Sequence, residues 1–83
     1  GKTAKLSYKQ QRLLEVLPQE IEKLEAEIAA IEEELGNPDL YTADPDKFDA
    51  LSSRLNEAQQ EKDDAENQWL ENQMLKEELE KTD

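Results

Sequence analysis

Apolar residues recur through the first half of the chain at alternating steps of three and four residues. This stripe consists of Leu14, Leu17, Ile21, Leu24, Ile28, Ile31 and Leu35. The average step of about 3.5 residues is the heptad repeat, which keeps one narrow apolar seam facing a partner helix in a left-handed supercoil. In the notation abcdefg the stripe fills positions a and d, and glutamates flank it at e and g. The pattern predicts a coiled-coil helix whose partner presents a matching seam.

Local signals mark the two ends of this helical region. Ser7, followed three residues later by Gln10, forms a capping-box pattern, so we expect the helix to begin at Tyr8. Gly36 follows the last apolar residue and predicts a left-handed helix stop, which Pro38 reinforces because proline cannot continue a helix.

Pro18 lies inside this region. A proline in a helix interior removes a hydrogen bond and clashes with the preceding turn, at a cost of about 3 kcal/mol. In the first turn of a helix its missing N–H has no partner to lose. We therefore predict a short helix over residues 8–17 and a second helix over 18–35, either nearly collinear with a kink or joined as one bent helix.

The second half of the chain predicts one long helix with its own seam. Asp44, Pro45 and Asp46 form a strong helix start, with an N-cap acid, a proline at the first position and an acid in the first turn. No helix breaker follows, so we expect a turn over 36–44 and a helix over 45–80. The second seam consists of Phe48, Leu51, Leu55, Ala58, Lys62, Ala65 and Trp69.

Folding the chain back at the turn brings the two seams together. The facing pairs are Leu35–Phe48, Ile31–Leu51, Ile28–Leu55, Leu24–Ala58, Ile21–Lys62, Leu17–Ala65 and Leu14–Trp69. In the middle of the hairpin, Leu24 and Leu17 then face alanines and Ile21 faces the aliphatic stem of Lys62, whose ammonium can reach water. The sequence predicts an all-α fold, an antiparallel two-helix coiled-coil hairpin with a short N-terminal helix before Pro18. A basic linker remnant (1–6) precedes the hairpin (7–80), and a frayed tail (81–83) follows it.

Leu40 and Tyr41 are large apolar residues within an otherwise polar turn. One interpretation is that they cover the end of the hairpin by packing against Leu35 and Phe48, which would remove their apolar area from water. The other interpretation is an exposed contact tip.

Charge is unevenly distributed along the 83 residues, whose net charge is −12. Residues 1–14 hold four of the ten Lys and Arg residues and no acid, so all 22 Asp and Glu residues lie in the rest of the chain. The acidic body should repel nucleic acid, because nonspecific binding rests on phosphate neutralisation by Lys and Arg. No apolar run reaches the ~20 residues of a membrane span.

The chain contains no Cys and no His. Disulfides and ordinary zinc sites are therefore excluded, and no pair of nucleophile and base can form. Runs of carboxylates such as Glu32-Glu33-Glu34 and Asp63-Asp64 are typical of a solvated helix face. We expect no catalysis, no bound metal and no cofactor in this chain.

The basic segment at the N-terminus is the candidate site. Its residues are Lys2, Lys5, Tyr8, Lys9 and Arg12, with the four cations spaced three, four and three residues apart. Phosphate contacts from the cations and stacking on the tyrosine ring are typical of a nucleic-acid site. An equally weighted interpretation is a solubilising linker whose cations face the acidic hairpin.

Several motifs together resemble the C-terminal domain of Uup-type ABC-F ATPases. They are Lys5-Leu6-Ser7-Tyr8-Lys9, Leu14-Glu15 with Leu17-Pro18, Ile21-Glu22 with Leu24-Glu25, Asn37-Pro38 with Leu40-Tyr41, Asp44-Pro45 with Phe48, and the late Trp69. The resemblance implies a helical hairpin that follows two ATP-binding cassettes in a cytoplasmic, ribosome-associated protein, and it implies DNA binding. The matching basic residues are Lys5 and Lys9, adjoined by Lys2 and Arg12. The acidic body and the placement of Leu70-Glu71 depart from the family pattern.

These observations lead us to expect a non-catalytic accessory domain that contacts nucleic acid, either DNA or structured RNA such as ribosomal RNA, through its basic segment. The alternative is a protein-interaction or spacer hairpin that docks on the ribosome or on the ATPase cassettes of the same chain. A third interpretation is a homodimerising coiled coil, so a monomer or a weak homodimer is expected. No membrane partner is expected.

Overall fold

The computed structural model describes residues 5–81 and consists of two long helices joined by a short helical turn. Helix α1 spans Tyr8–Leu35, α2 spans Leu40–Ala43 and α3 spans Pro45–Lys81. The two long helices pack against each other along their length in an elongated body with extents of 67 × 15 × 14 Å. The predicted all-α helical hairpin is confirmed. Within the described range, no residue forms a β-strand.

The predicted capping box sets the start of α1. The Ser7 hydroxyl accepts a hydrogen bond from the Gln10 backbone N–H at 3.1 Å, and the Gln10 side-chain oxygen accepts one from the Ser7 backbone N–H at 3.0 Å. These two bonds satisfy donors that have no partner at a helix N-terminus. The start at Tyr8 is therefore confirmed.

Helix α1 passes through Pro18 without ending, so the segments 8–17 and 18–35 are joined as one helix, the second of the two expected arrangements, and the short separate helix over 8–17 is wrong. Leu17 is only 6% exposed, and Leu14 and Ile21 are half-buried in the same seam. Burying such a side chain contributes about 1.5–3 kcal/mol. Together these three side chains outweigh the roughly 3 kcal/mol that an interior proline costs. Pro18 itself is exposed, on the side of the helix where water can solvate the carbonyl that loses its partner.

The helix end at Gly36 also differs from expectation. Gly36 has φ −72° and ψ −11°, which is right-handed helical backbone rather than a left-handed stop. Its N–H donates to the Glu32 carbonyl at 3.0 Å, as in a continuing helix. The chain leaves the helix at Asn37, because the following proline disfavours helical backbone there. The Asn37 side-chain oxygen accepts a hydrogen bond from the Asp39 N–H at 3.0 Å and so closes the turn.

The start of α3 follows the predicted signals. The Asp44 carboxylate accepts a hydrogen bond from the Lys47 backbone N–H at 3.1 Å, and Pro45 occupies the first helical position. The helix continues through Lys81, which was expected to belong to the frayed tail. The chain ends at 1–4 and 82–83 lie outside the described residues.

Ion pairs on the edge of the seam define the antiparallel register. Arg54 donates to both oxygens of the Glu27 carboxylate at 2.6 Å, and the Lys47 ammonium lies 4.0 Å from the Glu34 carboxylate. The two pairs are one heptad apart on both helices, so the register is constant between them. Glu27 and Glu34 were placed at flanking positions by the heptad, and their contacts agree with that assignment.

The core alternates large residues from α1 with small residues from α3. The buried positions are Leu17, Leu24 and Ile31 on α1, and Ala58 and Ala65 on α3. Ala58 is 0% exposed, so its methyl group is fully enclosed between the helices. Lys62 is half-buried, and its ammonium lies 3.9 Å from Glu25 and 3.6 Å from Glu66. The prediction that its stem packs in the seam while its charge reaches the surface is confirmed.

Candidate nucleic-acid interface

Three of the five predicted site residues share one face of α1. Tyr8, Lys9 and Arg12 lie in the first turns at heptad positions b, c and f, which point away from the seam that packs on α3. All three are exposed, and Tyr8 is 83% exposed. We call these three residues the basic face. Lys2 lies outside the described residues.

The charges on the basic face favour an anion. The first turn of α1 contains no acidic residue, so the partial positive charge of the helix N-terminus is not neutralised there. The Arg12 guanidinium lies 3.2 Å from the Glu15 carboxylate, and both side chains are well exposed. Lys9 forms no ion pair with any other residue of the described range. One cation is therefore unengaged, and the second holds a carboxylate that a phosphate could replace.

Lys5 belongs to a different surface. It lies before the N-cap and lines an open groove between the two chain ends, together with Leu6, Trp69 and Lys76. This Trp69 groove has a cavity volume of about 650 Å³. None of the three basic-face residues lines this groove, although Glu15, which pairs with Arg12, does.

Leu6 packs in the core of the hairpin and does not belong to the linker remnant. It is 8% exposed and forms part of the core, although it was assigned to the linker remnant over 1–6. Leu14, Trp69 and Leu79 line the same groove, so the long α3 continues the apolar surface beyond the start of α1. The signal for this extension is the repeated spacing of three and four residues from Trp69 through Asn72 and Lys76 to Leu79.

The opposite end of the hairpin carries a second exposed aromatic ring. Tyr41 is 63% exposed, and its ring meets Phe48 edge to face with centroids 5.2 Å apart. Leu40 and Phe48 are half-buried. Leu40 thus agrees with the interpretation that these residues cover the end of the hairpin. Tyr41 agrees with the interpretation of an exposed contact tip.

Among residues 5–81, Arg54 is the charged side chain with the most hydrogen bonds and ion pairs, and its role is structural. Besides Glu27, its guanidinium contacts Glu61 at 2.7 Å and Glu57 at 3.5 Å. The hydrogen bonds from Arg54 lower the pKa of Glu27 below its usual range, and its own pKa is raised by Glu27 and Glu61, so it stays charged. This cluster lies across the seam and fixes the register.

Across residues 5–81, no group of three or more acidic side chains is arranged to hold a metal ion. Over the same range, neither long helix contains a segment apolar enough to cross a lipid bilayer.

The fold is an elongated antiparallel helical hairpin with an exposed basic face at one end and an exposed aromatic ring at the other. The sequence model of the family described as ABC transporter C-terminal domain matches residues 5–77, nearly the whole chain. The chain belongs to this family, and the hairpin is an accessory domain of an ABC protein. No curated protein and no solved structure matched the sequence.

Proposed function

We propose that this hairpin is the non-catalytic C-terminal domain of a Uup-type ABC-F ATPase and that it contacts nucleic acid through the basic face. The ligand is DNA or structured RNA, including ribosomal RNA. ATP is bound by the cassettes that precede the hairpin in the parent chain, which is cytoplasmic and ribosome-associated by the same resemblance. The domain itself contributes an anchoring contact and no chemistry.

The observation that carries this proposal is the exposure of Tyr8 beside two cations at a helix N-terminus. A tyrosine that is 83% exposed gains almost nothing from packing within its own chain. A nucleobase stacked on such a ring contributes about 1–3 kcal/mol, and the neighbouring cations supply phosphate contacts. Lys9 and Arg12 lie on the same face as this ring, within one helical turn.

The acidic body limits how far a nucleic acid can extend along the hairpin. At physiological salt the Debye length is about 8 Å, so only charges close to the basic face act strongly on a bound phosphate. Glu15 is the nearest competitor, because it already pairs with Arg12. We therefore expect a short contact at this end with a modest affinity that falls steeply with salt.

Binding of labelled duplex DNA, single-stranded DNA and an RNA hairpin, each measured over a series of salt concentrations, tests the proposal. Lys9→Gln should lower the magnitude of the salt slope by about 0.7–0.9, the value expected for one phosphate contact. Lys23→Gln is the matched control, because Lys23 is an exposed lysine at the same heptad position two heptads along α1. Glu15→Gln should strengthen binding by freeing Arg12.

The contribution of the Tyr8 ring to nucleic-acid binding is tested with a separate control variant. Tyr8→Ala should weaken binding by about 1–3 kcal/mol, whereas Tyr41→Ala, at the acidic end of the hairpin, should leave it unchanged. Equal losses for Lys9→Gln and Lys23→Gln would show diffuse attraction and would contradict a site at the basic face.

A further inference from the structure

The turn between the long helices presents an aromatic surface that is distinct from the basic face. We call it the aromatic tip and define it by Leu40, Tyr41 and Phe48. The Tyr41 and Phe48 rings meet at an interplanar angle of 89° with centroids 5.2 Å apart. Phe48 is half-buried, while Tyr41 remains 63% exposed. The tyrosine ring is thus supported on one side and open on the other.

Backbone hydrogen bonds hold this tip in one conformation. The Ala43 N–H donates to the Asp39 carbonyl at 2.9 Å, and the Asp44 N–H donates to the Leu40 carbonyl at 2.8 Å. Asp44 also caps α3 through its side chain. A surface that is already ordered loses little conformational entropy when a partner binds.

The charges around the aromatic tip are almost all negative. Asp39, Asp44, Asp46 and Asp49 lie within eight residues of Tyr41 along the chain, and all four are exposed. The single cation among them is Lys47, whose ammonium lies 4.0 Å from Glu34. Phosphate backbones and anionic lipid surfaces are repelled by such a field. A cationic protein segment is attracted by it.

We propose that the aromatic tip docks an arginine- or lysine-rich protein segment. The open face of Tyr41 takes one guanidinium or ammonium group by a cation–π contact, and the surrounding aspartates take the flanking cations. Charge complementarity selects this occupant over nucleic acid, and the exposed ring distinguishes the tip from the rest of the acidic surface. The proposal does not depend on the basic face, which lies at the other end of the hairpin.

The alternative locations for a cation–π contact in residues 5–81 are poor. Tyr8 is more exposed than Tyr41, but Lys9 and Arg12 beside it repel a cation. Trp69 is half-buried in its groove. The exposed apolar residues of α3, Leu70 and Met74 among them, have no aromatic face.

This proposal is tested with a labelled arginine-rich peptide and its glutamine-substituted counterpart. Each peptide is titrated with the whole chain. Binding is measured by fluorescence anisotropy, and contacts are located by NMR chemical-shift changes. We expect the largest shifts at the aromatic tip. Tyr41→Ala should weaken binding about two- to five-fold, the value of an exposed cation–π contact. Tyr41→Phe should retain both the contact with Phe48 and peptide binding, and Tyr8→Ala should have no effect.

A second pair of variants separates the tip from general acidity. Asp39→Asn combined with Asp49→Asn should weaken peptide binding more than Asp63→Asn combined with Asp64→Asn, which removes the same charge from exposed positions in the middle of α3. Equal losses for the two pairs, or shifts spread evenly along the hairpin, would overturn the proposal. RNA-induced shifts at the tip would also overturn it. The outcomes with the peptide leave the test of the basic face unaffected, because that test measures binding of nucleic acid alone.

Discussion

Replacing Pro18 by alanine should stabilise the hairpin. Helix α1 runs through Pro18, so the Leu14 carbonyl has no N–H partner four residues later. An interior proline is about 3 kcal/mol less favourable than alanine. Alanine also gives the unfolded chain more freedom, which costs about 0.4–1 kcal/mol. Pro18 is exposed, so little packing is lost and Pro18→Ala should gain about 2 kcal/mol.

Pro45 provides the matched control. It occupies the first position of α3, where the missing N–H has no helical partner. Its fixed φ angle is already that of a helix, so Pro45→Ala should destabilise by about 0.4–1 kcal/mol through the unfolded state alone. The same chemical change is therefore expected to have opposite signs at the two prolines.

Urea unfolding followed by far-UV circular dichroism measures both variants. The transition midpoint should rise for Pro18→Ala and fall for Pro45→Ala at an unchanged slope. For a domain of this size, each kcal/mol moves the thermal midpoint by about 4–8 °C. An unchanged or lower midpoint for Pro18→Ala would mean that the helix begins anew at Pro18, and it would refute the continuous helix.

Three further predictions address the core, the open end and the edge of the seam. Ala58 is fully enclosed, so Ala58→Leu should overpack the core and destabilise the hairpin by about 1–3 kcal/mol. Ala50→Leu on the exposed face of α3 should change stability by less than about 0.5 kcal/mol, and urea unfolding measures both variants. Leu6→Ala opens the groove beside the single tryptophan, so the thermal midpoint should fall and tryptophan emission should shift to the red; unchanged emission would contradict this placement. Arg54 lowers the pKa of Glu27 below its usual 4.5, so the stabilisation is complete above that pH and is lost as the pH falls below it. The difference in thermal midpoint between the wild type and Glu27→Gln should be constant above this pH and shrink below it.

The hairpin could be predicted because its information is local and repeated. The two seams have the same period, so the chain can match them only by reversing direction. Leu24 and Ala58 are both buried at the positions that this matching assigns. The Ser7 cap and the Asp44 cap could also be predicted from the sequence, because each depends on a side chain within three residues of the helix start.

The course of the chain at Pro18 and Gly36 could not be predicted in the same way. At Pro18 a local cost competes with burial of the neighbouring seam, and only the assembled hairpin shows that burial dominates. Glycine permits left-handed backbone without requiring it. At Gly36 the following Asn37-Pro38 pair ends the helix, so the freedom of glycine is not used.

The candidate site stays a prediction, and the structure bears only on where its residues lie. The sequence spacing of Lys5 and Lys9 would place them on one face only if the helix extended back past Ser7. The cap at Ser7 instead redirects the chain, so Leu6 is buried and Lys5 lines the Trp69 groove. A helical spacing rule applied across a helix boundary therefore does not describe where Lys5 lies.

The two ends of the hairpin should act independently. The 28 residues of α1 separate them by about 42 Å at the usual helical rise. This is several times the Debye length of about 8 Å, so charge changes at one end are screened before they reach the other. The tip variant Tyr41→Ala and the basic-face variant Lys9→Gln should therefore have additive effects when peptide and nucleic acid are offered together. Strong non-additivity would mean that one ligand spans both ends, a geometry that the straight packed hairpin does not favour.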